Sequence, residues 1–163
     1  MLTRRQALAG AAVTIGALAA GCSPAAESDT AEAAPPLRPA ALAMTVHRDP
    51  SCGCCMAWAE LAQQAGYAVR VVEEADMAVV KARLGVPEAL ASCHTAVVDG
   101  LAIEGHVPLA AVAVLRARRP EGVIGLAVPG MPRGAPGMEM PDGSVDPYQV
   151  LAFDRFGRIT VFA

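Results

Sequence analysis

The chain has 163 residues, with 13 basic against 16 acidic side chains, a formal net charge of −3 and 54% hydrophobic residues. That balance excludes a nucleic-acid-binding surface or a polybasic membrane patch as its main business. One Trp, two Tyr and three Phe point to an aliphatic core of small residues, and five cysteines carry the distinctive chemistry.

Residues 1–22, MLTRRQALAGAAVTIGALAAGC, combine a basic start (Arg4, Arg5), an apolar run and a small-residue end, the layout of an export signal. The run is too short for a stable membrane span. TRRQAL resembles a twin-arginine signal with Ala7 where Phe is usual, which leaves both that route and the general one open. LAAGC resembles a lipobox with Cys22 as the lipidated residue, against simple cleavage at a small-residue site. Residues 23–40 mix Pro, Ala, Ser and acid around a single large apolar residue, Leu37, and are expected to be a disordered linker. The folded unit is expected over residues 41–163, with no internal repeat.

Within it, LAMTVHR (42–48) alternates as a short strand does and is broken by DPSCG. Cys55, Trp58, Leu61, Ala62 and Ala65 then recur at helical spacing up to Gly66. YAVRVVEE (67–74) reads as a second strand. Asp76 can cap a helix through Leu84, and Pro87 can begin a short helical turn through EALAS. HTAVVDG and LAIEGHV (94–107) predict two strands joined at Asp99-Gly100, and Pro108 opens a helix ending in Arg116, Arg118 and Arg119. The order β-α-β-α-β-β-α, with cysteines between the first strand and first helix, predicts an α/β thioredoxin-like single domain. Residues 122–147, dense in Gly, Pro and Met, are expected as a long functional or mobile loop, followed by a C-terminal β-hairpin around Asp154 to Gly157.

Cys52 and Cys55 form a C-x-x-C whose interior holds a further thiol, Cys54. Two structural disulfides are not expected, since a bridge between adjacent Cys54 and Cys55 would strain the backbone and Cys93 is distant in sequence. A dithiol at a helix N-terminus suits either disulfide exchange or metal binding, because exposed N–H groups stabilise thiolates. Exchange needs two thiols, whereas a soft metal gains from every added thiolate. Three clustered thiols therefore favour a soft ion, Cu(I) or Zn(II), and thiolates packed this closely can bridge more than one Cu(I). A structural zinc site fits poorly, because adjacent Cys54 and Cys55 are awkward ligands for one tetrahedral ion.

In a thioredoxin-like layout the SCHTA segment faces the cysteine turn, with Cys93 as a fourth sulfur and His94 as a ligand or its neighbour, in a loop that often carries a cis-proline. The plainer readings are a small buried hydrophobe for Cys93 and a structural hydrogen bond for His94. His106, at the start of the third helix, either points into the same cleft or is a surface or capping histidine. His47 reads as structural and Trp58 as packing. Met131, Met138 and Met140 either offer thioethers to Cu(I) or fill gaps.

DPSCGCCMAW, SCHTAVVDG, IEGHVP and GLAVPGMPRGAPGME together resemble the CopG-like family of bacterial periplasmic copper-resistance proteins, over about residues 43–163. The resemblance implies a thioredoxin-like fold, copper bound as a cluster, and a role in copper redox handling. Its cysteines correspond to Cys52, Cys54, Cys55 and Cys93, with His94 and His106 around them as metal ligands. It implies a periplasmic or cell-envelope location, other periplasmic copper-handling proteins as partners, and no membrane association except through lipid on Cys22. Thiol-disulfide exchange in the periplasm remains the alternative activity.

Overall fold

The computed structural model describes residues 41–162; the expected export signal (1–22, with Cys22) and linker (23–40) lie outside the described residues. Strand β1 (Ala43–Arg48) buries Met44 and Val46 on one face, as its alternation demands. It runs parallel to β2 (Ala68–Glu73), with Val46 opposite Val71, and antiparallel to β3 (His94–Val98), with Val46 opposite Ala96.

Helix α1 (Gly53–Gln64) starts directly after the cysteine turn and buries Cys55, Trp58, Ala59 and Ala62 as one helical stripe. Helix α2 (Met77–Arg83) is capped as expected: the Asp76 carboxylate accepts from Ala78 N at 2.9 Å and Val79 N at 3.3 Å. A short 3-10 turn at Glu88–Leu90 leads into β3. The predicted hairpin joins β3 to β4 (Leu101–Glu104), with Asp99 and Gly100 both at positive φ (52° and 73°), the backbone that an Asp-Gly turn supplies. Helix α3 (Leu109–Arg118) follows, and Arg116 and Arg119 return to Asp99 at 2.9 and 3.2 Å.

The expectation of an irregular loop over 122–147 is corrected at its start. Val123–Ala127 is a strand, β5, paired in parallel with β4. Gly125 disguised it, since glycine weakens a strand pattern. It is needed there because a Cβ would run into the Ala102 carbonyl and the Phe153 ring. The expected closing hairpin forms as β6 (Leu151–Asp154) and β7 (Ile159–Val161), and it extends the main sheet rather than standing apart. Among the described residues the sheet has seven strands in the order β2-β1-β3-β4-β5-β6-β7, with three α-helices, a mixed α/β fold.

Strands β4, β5 and β6 contribute to both faces of the sheet. Ile103, Leu126 and Ala152 join Trp58, Val112 and Leu115 on the α1/α3 side, while Ala102, Ala127 and Phe153 join Val86 and Leu90 on the other. Consequently His94 and Thr95, adjacent in β3, project to opposite sides. Among the described residues no helix is long and apolar enough to cross a membrane.

Candidate metal centre

The cysteine turn is fixed from below by Arg48 at the end of β1. Its Nη1 donates to the carbonyls of Asp49, Pro50 and Cys52 at 3.1, 3.1 and 2.9 Å, and its Nη2 pairs with Glu73 at 2.7 Å. Asp49 closes the turn by accepting from Ser51 N at 2.7 Å. Cys52 then occupies the N-cap position of α1 with no side-chain capping bond, so its sulfur is left for other chemistry.

Cys52 and Cys55 are joined in a disulfide, with Cα atoms 5.6 Å apart, while Cys54 and Cys93 are free. Among the described residues the cluster thus holds one bridge and one unbridged pair. Cys54 Sγ lies 3.5 Å from Cys52 Sγ and 3.9 Å from Cys93 Sγ, and Cys55 Sγ is 3.7 Å from the Cys93 carbonyl oxygen. The four sulfurs lie within 4.8 Å of one another, so opening the bridge would set four thiols around one point.

Cys93 also joins a second group, with His94 and His106, whose ligand atoms again lie within 4.8 Å of one another. Its Sγ is 3.3 Å from His94 Nδ1 and 3.1 Å from His106 Nε2. His106 is fully buried and its Nδ1 donates to the Pro136 carbonyl at 2.8 Å, leaving the Nε2 lone pair toward Cys93. Of the two readings of His106, the structure supports the one pointing into the cleft. His94 is packed by Trp58 (ring centroids 4.9 Å apart) and meets the His106 ring edge-on at 5.1 Å. Its Nε2 is buried without a hydrogen-bond partner among the described residues, so the ring meets the site through Nδ1, beside Cys93 Sγ.

Burial sets the electrostatics. It pushes the His94 ring down to about 3, with His106 and Lys81 adding repulsion, and it holds His106 below the usual histidine range against the opposing pull of the Pro136 carbonyl and Glu139. Both imidazoles are neutral at pH 7 and carry a lone pair. Burial and the neighbouring Cys54 push the Cys93 thiol up to about 12, so a metal that bound it would displace a proton.

The Gly/Pro/Met stretch straps this pocket. Besides the Pro136 link, Gly137 packs against the backbone of Trp58, where a Cβ would come within 2.8 Å of the Trp58 nitrogen. Ser92 pairs with Gly130 as an isolated bridge and its hydroxyl donates to the Gly130 carbonyl. Met131 and Met140 are exposed on the surface.

Sequence reasoning missed a buried polar cluster behind the site. Glu104, fully buried on β4, accepts from Ser92 N and Thr95 Oγ1, both at 2.6 Å, and from the Lys81 ammonium of α2. Thr95 Oγ1 also accepts from Lys81 at 3.2 Å. Glu104 thus grips the residues on either side of Cys93-His94 from the opposite face of the sheet. The IEGHVP segment held the only signal, a carboxylate in an otherwise apolar strand. His47 is structural as expected, its Nδ1 2.7 Å from Glu74 Oε1, and Trp58 is core, its Nε1 donating to the Val107 carbonyl at 3.0 Å.

Fold and site together define an α/β protein with a pocket of sulfur and imidazole donors, the ligand types that soft and borderline transition metals prefer. Residues 90–138 match a family described as "Protein of unknown function, DUF411". No match is found among curated proteins. The solved structure titled "Copper resistance protein copG- Form 1" is 50% identical, with a TM-score of 0.70, covering 76% of this chain and 96% of that one. A second, "Copper resistance protein copG- Form 2", is 49% identical with a TM-score of 0.69, covering 76% and 97%. This chain belongs to the CopG family of copper resistance proteins.

Proposed function

We propose that this is an exported copper-binding protein of copper resistance, in which Cys52, Cys54, Cys55 and Cys93, with the bridge reduced, supply thiolates to Cu(I), and His94 and His106 complete the pocket. The observation that carries this reading is the sharing of Cys93 between two donor groups, each within 4.8 Å. Thiolates held this closely can bridge several Cu(I) ions, so a multinuclear site follows from the donor set. Copper bound there would bring one-electron redox chemistry, and copper redox handling is the finer role. The chain's own residues supply soft donors, neutral imidazoles and a strap that limits water.

The strand order β2-β1-β3-β4, with β3 antiparallel to β1, supports the thioredoxin-like reading of the framework. A periplasmic or cell-envelope location follows from the leader, with membrane attachment only through lipid on Cys22 and with other periplasmic copper-handling proteins as partners. Anaerobic Cu(I) titration of the fully reduced chain tests the proposal. Uptake of less than about one Cu(I) per chain, or uptake indifferent to Cys52→Ser and Cys93→Ser, would overturn it.

One observation favours a second reading, thiol-disulfide exchange: the Cys52–Cys55 bridge at the start of α1. Insulin reduction by copper-free protein separates the two; a rate no greater than that of a small dithiol counts against exchange.

A further inference from the structure

Among the described residues the sheet has two open edges, β2 at one end and β7 at the other, and they are built differently. β2 turns Arg70 and Glu73 to solvent, with Glu73 bonded to Arg48 at 2.7 Å, so charged side chains guard that edge against another chain. β7 (Ile159–Val161) carries no charge and no proline and runs in regular register with β6. Its Ile159 and Val161 are 39% and 59% exposed, and Phe156, in the turn that leads into it, is 83% exposed. All three residues of β7 are β-branched, the type that pairs well in sheets.

The ladder fixes which backbone groups of β7 point outward. Phe162 N–H donates to the Val150 carbonyl at 2.8 Å and Asp154 N–H to the Arg158 carbonyl at 3.1 Å, so residues 158 and 162 face β6. Alternation along an antiparallel pair places Thr160 with them and sends the N–H and C=O of Ile159 and Val161 to the open side. The same two side chains stand opposite Phe153 and Leu151, so they carry the apolar face of Val86, Leu90 and Phe153 to the end of the sheet.

This edge is complementary to itself. About a two-fold axis at Thr160, an antiparallel copy sets Ile159 opposite Val161 of the second copy, and Val161 opposite its Ile159. Those are the residues with outward N–H and C=O groups, so each pair can exchange both hydrogen bonds. Thr160 meets its own equivalent, a favourable cross-strand pair. Arg158, held by Asp154 at 3.3 Å, falls opposite Phe162 rather than another Arg158, so no like charges oppose each other.

We propose that β7 is a self-association edge, on which a second copy of this chain adds its own β7 antiparallel and continues the sheet across two molecules. A three-residue strand buries less than the about 1,200 Å² that separates weak encounters from stable complexes, so the dimer forms at high local concentration rather than as an obligate unit. The inference is independent of the copper reading, since no donor of the pocket takes part.

The test is sedimentation equilibrium of the full chain from about 10 μM to about 1 mM, the range in which weak pairs assemble. Chelator and reductant are present, so that neither shared metal nor an interchain disulfide joins the molecules. The expected result is a mass that rises from monomer toward dimer and no further. Val161→Lys and Ile159→Lys each put a charge on the edge and should weaken association at least ~10-fold. Val161→Pro removes one outward N–H, leaves the β6–β7 bonds in place, and should act in the same direction. Ala68→Lys, on the β2 edge, should leave association unchanged. Amide exchange of the wild-type chain reads the register: Ile159 and Val161 should slow as concentration rises, whereas Thr160 is slow throughout. Near-UV circular dichroism of Trp58 verifies that each variant is folded.

A chain that stays monomeric over the whole range overturns the proposal, whatever other strand the edge accepts. Association that survives Val161→Lys in folded protein, growth beyond the dimer, or concentration-dependent protection in β2 instead of at Ile159 and Val161 overturns it equally.

Discussion

Glu104 Oε1 accepts the backbone N–H of Ser92 at 2.6 Å, so a carboxylate on one side of the sheet holds the segment that delivers Cys93 and His94 to the other. Lys81, whose side chain is 12% exposed, supplies the counter-charge to a carboxylate that is 0% exposed. Removing one member leaves a nearly buried charge without its partner. Glu104→Ala is expected to destabilise the protein by about 3 kcal/mol, and Lys81→Met by a similar amount, while the double replacement Lys81→Met/Glu104→Leu loses less than the sum of the two. Urea unfolding at neutral pH reads all three; additive losses would contradict the coupling.

The neutral state of His94 makes a pH prediction. Its ring is pushed down to about 3 by burial, from an ordinary value of 6.5. Between those values the unfolded chain binds the extra proton and the folded chain does not, so stability falls as pH falls through that window. The slope is about 1 kcal/mol per pH unit. In metal-free protein, His94→Phe should flatten part of the decline between about pH 6 and pH 4, the remainder including His106, which burial also holds below its ordinary value. Parallel profiles for wild type and variant would show that His94 charges without cost in the fold.

Trp58 ties α1 to the segment that bears His106 through its bond to the Val107 carbonyl, 3.0 Å long. Trp58→Phe keeps a ring in the core but leaves that carbonyl unpaired in a buried place, an expected loss of about 1–3 kcal/mol. Thermal unfolding measures the loss. Amide exchange should rise at residues 105–107 before it rises in β1.

Gly137 lies at φ +80° with no room for a Cβ against the backbone of Trp58. Gly137→Ala should lift the strap and lengthen the His106–Pro136 bond, because alanine meets both the left-handed backbone penalty and a collision with main chain that cannot rotate away. The expected signature is faster proteolysis within residues 129–147 and loss of slow exchange at His106 Nδ1–H. Unchanged exchange there would mean that the strap is held elsewhere.

Much of this molecule was legible because local signals and tertiary needs agreed. Asp76 capped its helix, Asp99-Gly100 turned its hairpin, and the spacing of Cys55, Trp58 and Ala62 set the buried stripe of α1. The convergence of Cys93 on the cysteine turn was legible from strand order. Three features were not. β5 contains Gly125, whose lack of a side chain answers to Phe153, a residue far along the chain. Glu104 carried no mark of its role in the sequence, because its partner Lys81 sits 23 residues earlier on another element. The disulfide state of Cys52 and Cys55 is a matter of oxidation, which residue spacing permits but does not decide.

The links that assemble the pocket span long stretches of chain: 39 residues from Cys54 to Cys93 and 30 from His106 to Pro136. Contacts so distant in sequence close late in folding, after the local helices have formed. During synthesis Cys52, Cys54 and Cys55 emerge well before Cys93 and before His94 and His106, so the cluster is vulnerable to wrong pairing for as long as β3 has not yet zipped onto β1 and β4 onto β3. A finished pocket is therefore a certificate of completed folding, since its donor atoms come together only when these distant segments have closed.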